Sequence, residues 1–229
     1  MSNRKRSPRK PVTDYSNDKM LNRYEAKNLN QQDYLKSIIN NILTIAYGPS
    51  GVGKTALALC LMCEHLVEDK IDKIIVTKPF VESSPKGLGY IPGKLEDKVA
   101  PYLQYFNEYM EFFLGKIQFR TFVSLGKIKI LPIEYLRGST FNDCYIFGDE
   151  LQNATYTQCK LLITRLGHNS KLILNGDPTQ TDLNSKFESG FLKVISKLNQ
   201  LKDVGIIRFN NSDILRNDFL SVLLSKLDE

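Results

Sequence analysis

No stretch of this sequence approaches the ~18 consecutive apolar residues that a membrane-spanning helix needs, so no span is expected. The opening MSNRKRSPRKP carries positive charge but no apolar run behind it, which argues against a secretory signal. Histidine is scarce, with only His65 and His168. The four cysteines are Cys60, Cys63, Cys144 and Cys159. Cys60 and Cys63 have zinc-like spacing, but no second pair accompanies them and they fall inside an apolar, helix-like run at 56–66. A structural zinc site needs a fuller ligand set, so these residues read as buried thiols in a reducing compartment. Nor is there an internal repeat.

What remains is an ordinary globular balance, 42% hydrophobic and 24% charged over 229 residues. That length suits one α/β domain with a buried core and is too short for two large ones. The net charge of +6 is unevenly placed. Arg4, Lys5, Arg6, Arg9 and Lys10 all precede the first acidic residue and leave the body close to neutral. Such a block is either a solubilising tail or a non-specific grip on nucleic-acid phosphates. Residues 1–28 are therefore expected to be a basic, disordered tail, and 29–229 the folded domain.

Apolar spacing predicts helices over 31–40, 55–67, 95–114, 155–166, 187–198 and 214–226. Short strands are predicted at 42–47, 73–77, 117–122, 128–131, 144–147, 171–175 and 205–209. Thr155 and Gln158 are placed like a capping box. The stretch 80–94, rich in Gly, Pro and Ser, reads as a long loop. Strands alternating with helices imply a three-layer α/β fold, a mostly parallel central sheet covered on both faces. Ligands in such sheets bind at the carboxyl ends of the strands, where the glycine- and acid-rich turns of this chain fall.

The segment Gly48-Pro49-Ser50-Gly51-Val52-Gly53-Lys54-Thr55 fits G-x-x-x-x-G-K-[ST] at every position, with a predicted strand before it and the predicted helix 55–67, which includes Ala56, after it. Glycines let the chain turn its N–H groups onto a phosphate, and the helix offers its positive end to the same anion. Lys54 can reach the outer phosphates, and the Thr55 hydroxyl can ligate Mg²⁺. This is a P-loop nucleotide site, with residues 48–56 as its binding segment.

A second apolar strand delivers Asp149 and Glu150. Asp149 is placed to hold Mg²⁺, and Glu150 to polarise the attacking water as general base. A third, Lys171-Leu-Ile-Leu-Asn175, ends in Gly176-Asp177-Pro178-Thr179-Gln180, where Gln180 or Thr179 can sense the γ-phosphate.

These motifs, in this order, resemble the PhoH-like family, whose single ATPase core is related to superfamily 1 helicases. The likeness runs from about 31 to 219. GPSGVGKT resembles the family's phosphate loop, and VTKPFVE with GLGYIPG and KVAPYL its most distinctive stretch. IEYLRGSTFND leads into DELQN as the family pattern does, and TRLG, GDPTQTDL and DILRN complete it. The resemblance implies a P-loop NTPase (RecA-like) fold, ATP and Mg²⁺ as ligands, and cytoplasmic action on single-stranded RNA or DNA. It also implies a homo-oligomer, a ring among the options, and the style is that of a bacteriophage version. Gln31 resembles the glutamine that reads adenine, a polar residue at a helix start being the alternative. Arg137, Arg165 and Arg216 occupy family arginine positions, and Arg216 is the favoured finger presented to a neighbouring subunit, with a surface salt bridge as the alternative for each. Lys78 departs from the family's arginine, Ser139 from a second arginine, Leu151 from alanine, and 83–85 from an acidic-basic stretch.

The first functional expectation is thus an ATPase coupled to nucleic acid, with Phe80 and Tyr90 either stacking on bases or packing inward. The alternative is an ATP-driven switch that binds protein partners. A small-molecule kinase accounts less well for the Asp-Glu pair and its downstream sensor. Nothing resembling a separate ribonuclease cluster is visible.

Overall fold

The computed structural model describes residues 20–79, 95–181 and 189–214. Within them the chain builds a six-stranded sheet in the order β3-β2-β4-β5-β1-β6. The strands are β1 (Leu43–Tyr47), β2 (Lys73–Thr77), β3 (Ile128–Ile130), β4 (Cys144–Gly148), β5 (Lys171–Gly176) and β6 (Val204–Arg208). Every pairing between them is parallel. Parallel neighbours require crossovers, which the helices supply. They are α1 (Leu29–Asn40), α2 (Lys54–Val67), α3 (Leu95–Leu114), α4 (Lys116–Ser124), α5 (Tyr156–Ile163) and α6 (Gly190–Leu198).

Side chains alternate across each strand and thereby define two cores. Ile74 and Val76 of β2, with Tyr145 and Phe147 of β4, face the layer of α1, α2, α3 and α4. Ile75, Cys144 and Ile146 face the layer of α5 and α6. The three-layer architecture is the expected one. All four cysteines are buried as free thiols, and no group of three or more His, Cys, Asp or Glu among the described residues is arranged to hold a metal. Among those residues, too, no helix is long and apolar enough to cross a membrane.

One element differs in kind. Residues 117–122, expected as a strand, lie inside the helix α4. Ile117, Phe119 and Thr121 alternate, but the residues actually buried are Phe119 and Phe122, one helical turn apart, while Ile117 is 86% exposed. Residues 20–28, read from sequence as part of the tail, are in contact with α3. Leu21 N–H donates to the Phe113 carbonyl, and Tyr24 stacks on Phe112. The expected tail at 1–19, loop at 80–94 and closing helix after 214 lie outside the described residues, as does the start of the expected helix at 187.

The capping box is present: the Thr155 hydroxyl accepts from Gln158 N–H, and the Gln158 side chain accepts from Thr155 N–H. Thr155→Ala is expected to lower stability by about 1 kcal/mol, read as a fall in Tm of roughly 2–4 °C.

Candidate functional site

The strand order sets the site. β5 lies between β1, which leads into the phosphate loop, and β4, which leads into the acidic pair. The sensor turn after β5 is therefore held between the other two motifs. All three open on one cavity of about 440 Å³.

The loop turns tightly because its glycines permit it. Gly48 has φ 137°, and a Cβ there would lie 2.3 Å from the Phe209 carbonyl oxygen. Gly51 and Gly53 both have φ 87°. Gly53 starts α2 without a side chain to cap it, so first-turn N–H groups remain to meet an anion. Ser50, Gly51, Gly53, Lys54, Thr55 and Ala56 line the cavity. Gly48, Pro49 and Val52 do not; the Val52 side chain is buried in the core. Lys54 is almost buried and donates to the carbonyls of Gly48 and Pro49 at 2.7 and 2.8 Å. Burial lowers its pKa, opposed by the charges of Asp149, Asp177 and Glu150.

The Thr55 hydroxyl donates to Oδ2 of Asp149 at 2.8 Å. Tyr105 of α3 donates to the same oxygen at 3.1 Å. Asp149 is 3% exposed, and burial, followed by the charge of Glu150, raises its pKa from 3.8 to about 6. Its backbone N–H donates to the Thr77 carbonyl at the end of β2. Glu150 stands in the left-handed region at φ 54°, an uncommon conformation for a non-glycine residue and one that clusters at functional sites. Its carboxylate accepts from Gln152 Nε2 at 2.5 Å, while Gln152 Oε1 accepts from Asp177 N–H at 2.9 Å. Gln152 thus joins the acidic pair to the sensor turn. In that turn Asp177 Oδ1 accepts from the Thr179 N–H and hydroxyl. Asp177 Oδ2 is buried without a partner among the described residues. Gln180 is exposed at the cavity wall.

Gln31 reaches the same cavity but is engaged within the protein. Its Nε2 donates to the Val52 carbonyl at 2.9 Å, and its Oε1 accepts from Lys27 N–H at 2.7 Å. It therefore ties the phosphate loop to the segment before α1. Each amide atom keeps capacity for one further bond. Arg165 donates to the carbonyls of Leu161, Leu136 and Ser139 and so fastens the 136–139 turn. Arg137 is exposed, and neither arginine lines the cavity. Arg216, Phe80 and Tyr90 lie outside the described residues.

Sequence reasoning missed Tyr24, Glu25, Lys27, Tyr105 and Tyr109 as cavity-lining residues, and gave Gln152 and Asp177 no role of their own. Of these, Gln152, two residues past Glu150, and Asp177, inside the turn that ends in Gln180, carry a local signal.

A family profile described as PhoH-like protein matches residues 23–227. The PhoH-like protein of Synechocystis sp. is 36% identical over 192 residues, covering 84% of this chain and 58% of its own length. Protein PhoH of Escherichia coli K12 is 37% identical over 194 residues, covering 84% of this chain and 54% of its own. The chain thus spans somewhat more than half the length of these relatives. Among solved structures, the large terminase of a thermophilic bacteriophage superposes with a TM-score of 0.51 at 13% identity, over 86% of this chain and 49% of the terminase. That likeness concerns the fold.

Proposed function

Since this chain belongs to the PhoH-like protein family and has a P-loop NTPase fold, we propose that it binds ATP with Mg²⁺, hydrolyses it, and couples hydrolysis to single-stranded RNA or DNA. The observation that carries the nucleotide reading is the 2.8 Å contact between the Thr55 hydroxyl and the Asp149 carboxylate, beside Lys54 and in front of Glu150. Two hard oxygens side by side at the rim of a phosphate loop fit Mg²⁺, which takes one or two protein oxygens and completes its shell with phosphate and water. Thr55 and Asp149 are the residues that would hold it. Bound Mg²⁺ would supply neutralisation of the phosphate charge.

The chain's own groups account for the rest. Loop amides and Lys54 receive the phosphate oxygens, the ammonium leaving its two carbonyl partners for them. Glu150 accepts a proton from water as its oxygen attacks the γ-phosphorus; the bond to the bridging oxygen breaks, giving ADP and inorganic phosphate. Gln152 keeps Glu150 and the sensor turn in register. Arg216 is the candidate for trans stabilisation by a second copy.

Steady-state hydrolysis with and without single-stranded RNA and DNA, beside Lys54→Ala, tests this. Stimulation by either strand that disappears in the variant supports the coupled ATPase. Hydrolysis indifferent to nucleic acid would favour a switch acting on protein partners. If the wild-type chain binds no nucleotide, the reading is wrong.

A further inference from the structure

Phosphate binding alone leaves one contact at the acidic pair unexplained. Tyr105 belongs to α3, which carries neither the phosphate loop nor the acidic or sensor motif, yet its hydroxyl reaches Asp149 Oδ2 at 3.1 Å. That oxygen already accepts from Thr55 at 2.8 Å. A carboxylate oxygen has two lone-pair sites, so the two hydroxyls fill Oδ2 and fix the rotation of the group. Over the Tyr105 ring, 4.8 Å from its centroid, lies the ammonium of Lys78, which follows directly on β2. A cation on the ring face holds the phenol in place and polarises its O–H. The residue before Lys78, Thr77, accepts the Asp149 backbone N–H at 2.9 Å. Asp149 is thus held by its side chain from α2 and α3, and by its backbone from β2.

Building on the nucleotide reading above, we propose that Tyr105 is a positioning residue for the metal: its hydroxyl holds the Asp149 carboxylate in the rotation that lets it share a cation with the Thr55 oxygen. Tyr105 then sets how strongly divalent metal is coupled to nucleotide binding. Donors behind a metal-ligating group orient it, and their loss weakens metal affinity while the ligand itself remains. The ring, packed 3.9 Å from Phe106, would survive replacement by phenylalanine, so the hydroxyl can be removed alone.

The test is the dissociation constant of a fluorescent ADP analogue in Mg²⁺ and in EDTA, for the wild-type chain, Tyr105→Phe, Asp149→Asn and the double variant. Tyr105→Phe should reduce the Mg²⁺-dependent gain in affinity by about tenfold and leave affinity in EDTA unchanged. In the Asp149→Asn background the same substitution should change nothing further. An undiminished Mg²⁺ gain in Tyr105→Phe overturns the proposal. Equal weakening in Mg²⁺ and EDTA also does, since Tyr105 would then act on the nucleotide directly. Additive losses in the double variant overturn it as well. A wild-type chain whose ADP affinity ignores Mg²⁺ sinks the metal assignment itself, and is recognised before any variant is compared.

Discussion

Glu150→Gln should leave nucleotide binding in place and slow hydrolysis by about 10²–10⁴-fold, the range that one general base contributes. Glutamine is isosteric and keeps an oxygen for the Gln152 amide, which donates to Glu150 at 2.5 Å. The turn at φ 54° and the link from Gln152 to Asp177 should therefore persist. What disappears is the ability to take a proton from water. Lys54→Ala should act differently, weakening binding itself, because the lost ammonium is the chain's cation at the loop, buried against the Gly48 and Pro49 carbonyls. Single-turnover hydrolysis together with equilibrium ADP binding separates the two. Glu150→Gln turning over at nearly the wild-type rate would move the base elsewhere, and Asp177, whose Oδ2 is buried without a partner among the described residues, would be the next group to replace.

The residues behind this prediction are legible in the sequence because their chemistry is local. A loop with Gly48, Gly51 and Gly53 at positive φ needs glycine whatever surrounds it, and a strand ending in two acids announces itself. The capping box at Thr155 and Gln158 is likewise a four-residue affair. Failures came where tertiary packing decides. Alternation at Ile117, Phe119 and Thr121 mimicked a strand, yet the burial of Phe119 and Phe122 against the α3 layer selects a helix. Tyr105 reaches Asp149 across 44 residues of sequence, a pairing no local period encodes. Gln31 was legible as a polar residue of the site, but not its two protein partners, Val52 and Lys27, because their approach depends on how the segment before α1 folds onto the loop.

The acidic site should also limit the stability of the chain, and Asp149→Asn should reveal it. In the absence of divalent cation at pH 7, this variant should be more stable than the wild-type chain by about 3 kcal/mol, which corresponds to the rise of the Asp149 pKa from 3.8 to about 6 at 1.36 kcal/mol per unit. The sign follows from the direction of the rise. Burial is its largest cause, with Glu150 next, so the folded state holds this proton more tightly than the unfolded state does. The proton-linked stabilisation is fully present below about pH 4 and is lost as pH rises through about 6. The advantage of asparagine, which carries no charge at any pH, should accordingly shrink as pH falls from 7 towards 4. Thermal unfolding from pH 4 to 8 in EDTA measures it. A variant less stable than the wild-type chain at pH 7 would mean that the hydroxyls of Thr55 and Tyr105 hold the carboxylate more favourably than burial opposes it. With excess Mg²⁺ and ADP the order should reverse, since both chains bind ADP through the phosphate loop but only the one that retains the carboxylate ligand gains the Mg²⁺-dependent part of the stabilisation. A buried acid that weakens the empty domain and strengthens the loaded one is selected for what it binds, and the crossing of the two stability curves would locate that ligand at Asp149 without any measurement of turnover.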